Sequence, residues 1–79
     1  MKQFKVNSKV LVKSGAYYIE TKFVKGGLNA ELIKIEDSFV GIVTGTRGIK
    51  NLGATILKDK EGKIYMFLNT INKNMLKSV

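Results

Sequence analysis

The stretch ATILKDKEGKIYMFL, residues 54–68, decides the fold class. Two apolar runs, 54–58 and 63–68, flank Asp59-Lys60-Glu61-Gly62, and Gly62 is the residue that accepts the left-handed backbone needed to close a type I turn with a bulge. The segment therefore predicts a β-hairpin. Working outward, residues 39–44 (FVGIVT) have the β-branched enrichment of a buried strand and follow a turn signal at Asp37-Ser38. Residues 30–36 (AELIKIE) fit two templates. Ile33 and Ile35 alternate as in a strand, whereas Leu28, Leu32 and Ile35 fit a helical stripe, and we take the strand. Residues 45–53 (GTRGIKNLG) hold three glycines and no acid, which predicts an exposed, mobile, basic loop.

Toward the N-terminus, residues 4–13 alternate: Phe4, Val6, Val10 and Val12 are apolar with Ser8 the exception, while Lys5, Asn7, Lys9 and Lys13 are polar with Leu11 the exception. That period of two predicts a half-buried strand with a basic outer face. Residues 16–24 are rich in aromatic and β-branched types and read as a strand or one limb of a long loop, ended by Gly26-Gly27. In residues 69–79, Asn and Lys surround Ile71 before Met75, Leu76 and Val79, a pattern that predicts a short helical turn leading into a final strand. Short strands separated by turns, in a chain of 79 residues that buries roughly 60% of its unfolded surface, predict one all-β domain over residues 1–79. The core is assigned to Phe4, Phe23, Phe39, Tyr65 and Phe67, because a domain this small needs its aromatic residues inside.

Residues 6–15 (VNSKVLVKSG), residues 30–46 (AELIKIEDSFVGIVTGT) and the Asp59-Lys60-Glu61-Gly62 turn together resemble the KOW and related Src-homology-3-like small barrels. The resemblance implies a five- to six-stranded barrel that binds RNA, DNA, peptides or modified side chains. The chain departs from the family in having Asn29-Ala30 where a Gly usually precedes the second strand. It also has about ten extra residues, 16–25, where the first loop is normally short.

Composition narrows the chemistry. There is no Cys and no His, so the side chains of structural zinc sites and of His- or Cys-based nucleophilic catalysis are missing. Asp37, Asp59, Glu36 and Glu61 lie in or beside turn signals, where carboxylates are usually solvated, so the chain is read as a non-enzyme with no metal and no cofactor. The lack of cysteine favours a reducing, cytoplasmic setting, and no apolar run approaches the ~20 residues of a membrane span. The start of the chain alternates Lys with apolar residues and carries no signal-peptide core, so no targeting segment and no membrane partner are expected.

Fourteen Lys and Arg against six Asp and Glu give a formal charge of +8. Residues 1–30 carry +5, residues 31–61 are neutral and residues 62–79 carry +3, so the excess lies at the two ends. The resemblance implies that the terminal strands come together, which would join Lys2, Lys5, Lys9, Lys13, Lys63, Lys73 and Lys77 into one basic region. Such a surface suits the phosphate backbone of RNA or DNA, with weak sequence preference. Arg47 and Lys50 extend it through the Gly-rich loop, where the backbone can approach phosphates. Tyr17 and Tyr18, close in sequence to Lys22 and Lys25, are candidates for stacking on bases; alternation puts them on opposite faces, so at least one is expected to pack inside. Two other readings stay open. Exposed Lys also solvates strands and blocks edge pairing, and thirteen Lys to one Arg fits an AT-rich coding sequence. The same charge also suits an acidic protein surface, as in a small phage or mobile-element protein that binds a host nucleic-acid enzyme.

Overall fold

The computed structural model describes residues 4–48 and 53–79. Seven strands, β1 (Lys9–Val12), β2 (Tyr17–Val24), β3 (Gly27–Lys34), β4 (Phe39–Arg47), β5 (Ala54–Lys58), β6 (Ile64–Leu68) and β7 (Leu76–Ser78), form one antiparallel sheet. Its order is β3-β2-β6-β5-β4-β1-β7. The β5–β6 hairpin has the expected geometry. Gly62 takes φ +87°, its N–H donates to the Asp59 carbonyl at 3.0 Å, and the Asp59 N–H donates to the Lys63 carbonyl at 3.0 Å. Of residues 16–24, all but Ala16 resolve as strand rather than loop, and the strand read over 30–36 begins earlier, at Gly27, and ends at Lys34.

The core consists of Val10, Val12, Ala16, Tyr18, Ile35, Val43, Leu57, Phe67 and Leu76, drawn from six of the seven strands and two linking residues. In a flat sheet β2 and β7 would be five strand spacings apart, about 24 Å. Tyr18 and Leu76 share one cluster, so the sheet curls until its two ends approach each other. Complete burial of Val10, Val12, Val43, Leu57 and Phe67 contributes about 1.5–3 kcal/mol for each side chain. Gly41 is needed inside this curl, because a Cβ there would stand 2.6 Å from Leu57 Cδ1 and 2.9 Å from the Lys58 carbonyl oxygen.

The expected five- to six-stranded Src-homology-3-like barrel is corrected: seven strands form an open ladder with β3 and β7 as its edges. The seam near β2 is bridged by a side chain instead of a strand. Buried Asn72 accepts the Tyr17 N–H at 2.7 Å and donates to the Tyr17 carbonyl at 2.8 Å, as a peptide group would, while also donating to Leu68 O at 2.8 Å. The expected C-terminal helical turn is corrected too: a run of non-helical turns joins β6 to β7, with Asn72 tied to Tyr17 and Leu68, and there is no helix among the described residues. None is therefore available there to cross a membrane.

Two further expectations change. The first strand is shorter than residues 4–13, because the chain turns at Lys5–Ser8 with Asn7 at φ +73°, leaving Val6 exposed and Phe4 only partly buried. Phe23, assigned to the core, is 90% exposed. It sits near the tip of the β2–β3 hairpin, whose residues 21–32 are all exposed and project from the body as a two-stranded ribbon.

Candidate nucleic-acid interface

Val10 and Val12 face the core, so alternation along β1 turns Lys9 and Leu11 outward, and Lys13 continues that outer row. Register then assembles the surface. Lys9 pairs with Ile42 of β4, and Ile42 pairs with Lys58 of β5, which sets a row across three strands. Leu11 lies between Val40 and Lys77, and the Lys13 N–H donates to the Met75 carbonyl. Lys77 is thus a diagonal neighbour of both Lys9 and Lys13 on one face. The Lys77 side chain beside Lys13, and then its charge, lower the Lys13 pKa below the ordinary lysine value.

The four adjacent strands β5, β4, β1 and β7 contain Lys58, Arg47, Lys9 and Lys77 and no Asp or Glu. The acids are elsewhere: Glu20 and Glu31 on the ribbon, Glu36 and Asp37 before β4, and Asp59 and Glu61 in the β5–β6 turn. The single ion pair among the described residues, Lys22 Nζ to Glu31 Oε2 at 3.6 Å, belongs to the ribbon. The lysines of the β1 face therefore have no carboxylate partner among the described residues. Diagonal lysines without a carboxylate partner form a place where an anion relieves repulsion.

The sequence candidates divide into groups. Lys9, Lys13 and Lys77 share the outer face described above. Lys5 lies in the turn before β1, and Arg47 ends β4 in register with Ala54. Lys50 lies outside the described residues. Lys22 and Lys25 belong to the ribbon, and Lys73 is exposed in the turns before β7. Tyr18 is buried and Tyr17 is 39% exposed, so the two do occupy opposite faces.

Lys63 stands apart, at the start of β6. Its ammonium sits 5.3 Å from the Tyr18 ring centroid and 5.1 Å from that of Tyr65 and donates to the Tyr18 hydroxyl at 3.4 Å. The bond to Tyr18 is the main reason its pKa is raised. Burial, and then donation of its hydroxyl to Asp59 at 3.0 Å, push the Tyr65 phenol up. Lys63, exposed, thus stands over Tyr18 and Tyr65, which pack with Phe39 and Phe67.

Sequence reasoning missed Lys58 and the exposed Val40 and Ile42 at the centre of the basic face. Strict alternation in residues 54–58 would have turned Lys58 away from Leu57, but its placement beside Lys9 depends on the β1–β4–β5 order. No group of three or more carboxylate, His or Cys side chains converges among the described residues. Comparison with family models, with curated proteins and with solved structures finds no significant match to this chain.

Proposed function

We propose that this protein binds the phosphate backbone of DNA or RNA through the outer face of β5, β4, β1 and β7. One observation carries the reading: four contiguous strands present Lys58, Arg47, Lys9 and Lys77, joined by Lys13, with no acidic residue among them. Contacts from such a face go to phosphates and read little sequence, because point-charge ammonium groups fix position without identifying bases.

The test is a salt titration of binding to labelled duplex DNA and RNA. Each lysine that neutralises a phosphate on duplex DNA contributes about −0.9 to the slope of log K against log salt. Replacing Lys9, Lys13, Lys58 and Lys77 together by Gln is expected to flatten the slope by about 2–4 units. Replacing Lys22 and Lys25 should leave it nearly unchanged. Absence of binding at low salt, or equal slopes for the four-site variant and the native chain, overturns the reading.

A second reading, docking on an acidic protein surface such as that of a host nucleic-acid enzyme, is favoured by Val40 and Ile42. These apolar side chains are 47% and 38% exposed among the lysines, where a partner protein would cover them. Recovery of one stoichiometric protein from a nuclease-treated lysate supports this alternative, whereas loss of every partner on nuclease treatment supports nucleic acid.

A further inference from the structure

Over residues 19–23 and 28–32 the β2–β3 ribbon presents one apolar face and one polar face. Cross-strand pairs Ile19–Leu32, Thr21–Ala30 and Phe23–Leu28 share the first, while Glu20–Glu31 and Lys22–Asn29 share the second. On the apolar face Phe23, Leu28 and Leu32 are 90%, 65% and 52% exposed. β3 is also the outer edge of the sheet, and its eight residues pair with β2 without a bulge. Edge strands are usually shortened, interrupted by Pro or guarded by charge. β7, the other edge, has three residues including Lys77, but β3 has eight, no Pro, and only Glu31 and Lys34 as charged groups.

The backbone parity of that edge can be fixed. The Ile35 N–H donates to the Ala16 carbonyl, so Ile35 turns its peptide groups toward the β2 side. Alternation then leaves the N–H and C=O groups of Leu28, Ala30 and Leu32 facing outward. These are the residues whose side chains form the apolar face.

We propose that β3 pairs antiparallel with β3 of a second copy of this chain, about a two-fold axis through Ala30. In this register Leu28 stands opposite the second copy's Leu32, and Ala30 opposite its own counterpart. The side-chain rows then run across four strands: Phe23, Leu28, Leu32, Ile19 in one direction and the same four in reverse, with Thr21 and Ala30 between them. Each apolar row gains a cross-strand apolar neighbour in place of water. On the other face Glu31 meets Asn29. Moving the axis to Asn29 or Glu31 would keep the backbone parity but break the Leu28–Leu32 pairing, and at Glu31 would also oppose the two Glu31 side chains, so the Ala30 register is selected. A second copy also fits the charge. Residues 17–34 carry three Lys and two Glu, close to neutral in a chain of +8, so the ribbon is where two such copies can approach with little repulsion.

Sedimentation of the native chain is expected to give the mass of two copies. Ala30→Pro removes an outward N–H that β2 does not use, and it should give the mass of one copy with the same β-sheet circular dichroism. The chain has no native Cys, so Ala30→Cys should form an intermolecular disulfide on mild oxidation, since hydrogen-bonded pairs lie about 5.5 Å apart between Cα atoms. Thr21→Cys, about 14 Å from its counterpart across three strand spacings, should not. A single-copy mass for the native chain throughout the accessible concentration range overturns the proposal, as does equal crosslinking at positions 21 and 30. A Phe23→Ser chain that loses DNA affinity while the native chain sediments as one copy would assign the ribbon to nucleic acid instead. The salt titration of the basic face is independent of all these outcomes.

Discussion

Asn72 shows how one side chain substitutes for a strand. It is fully buried, and its amide makes three hydrogen bonds that tie the turns before β7 to Tyr17, 55 positions earlier in the chain. A methyl group would leave the Tyr17 N–H and C=O and the Leu68 carbonyl without those partners. Each such buried group costs about 1–3 kcal/mol when unsatisfied, partly relieved by water. Asn72→Ala is therefore expected to lower stability by about 2–4 kcal/mol, read as a shift in the midpoint of urea unfolding at unchanged slope. The sequence marked Asn72 only as one of several Asn and Lys residues near the end of the chain. Nothing local distinguishes it from exposed Asn74, since the peptide groups it satisfies belong to β2.

At the scale of elements, the β5–β6 hairpin was the most legible part, because its turn is specified by adjacent residues. Desolvation pushes the Asp59 carboxyl up. The N–H groups of Lys63, Glu61 and Gly62 and the Tyr65 hydroxyl outweigh that effect and hold it below its ordinary value. A carboxylate with a depressed folded-state pKa stabilises the fold above its unfolded value of about 3.9 and loses that contribution as pH falls through the lower folded value. The native chain should therefore lose stability below about pH 4 more steeply than Asp59→Asn, in parallel urea titrations at several pH values. The first strand was less legible. Its alternation continued back to Phe4, but the regular ladder is interrupted at Asn7, a left-handed residue whose N–H still donates to the Val43 carbonyl. The first limb of the ribbon was legible only as a strand or a loop limb in residues 16–24, and its separation from the body was not legible.

For the whole molecule, the principal dimensions of 40 × 27 × 21 Å reflect a curled body with the ribbon attached. Residues 21–32 are all exposed and supply nothing to the core, so the body should fold without the ribbon's outer half. Replacing residues 23–28 by an Asn-Gly turn, which keeps the hydrogen-bonded Lys22–Asn29 pair as its flank, is expected to change unfolding free energy by less than about 1 kcal/mol, measured at a protein concentration where the native chain is a single copy. By itself the sequence determined the all-β class, the β5–β6 turn, the opposite faces of Tyr17 and Tyr18, and a basic excess with no metal-binding Cys or His. These follow from period, turn chemistry and composition, which act over a few residues or over none. The tertiary structure decided that the sheet stays open at β3 and β7, that Lys63 stands over Tyr18 and Tyr65 while Lys58 joins Lys9, and that Phe23 stands in solvent. Those outcomes depend on which strands become neighbours, and strand order is set by contacts between residues far apart in the chain that compete for one small core.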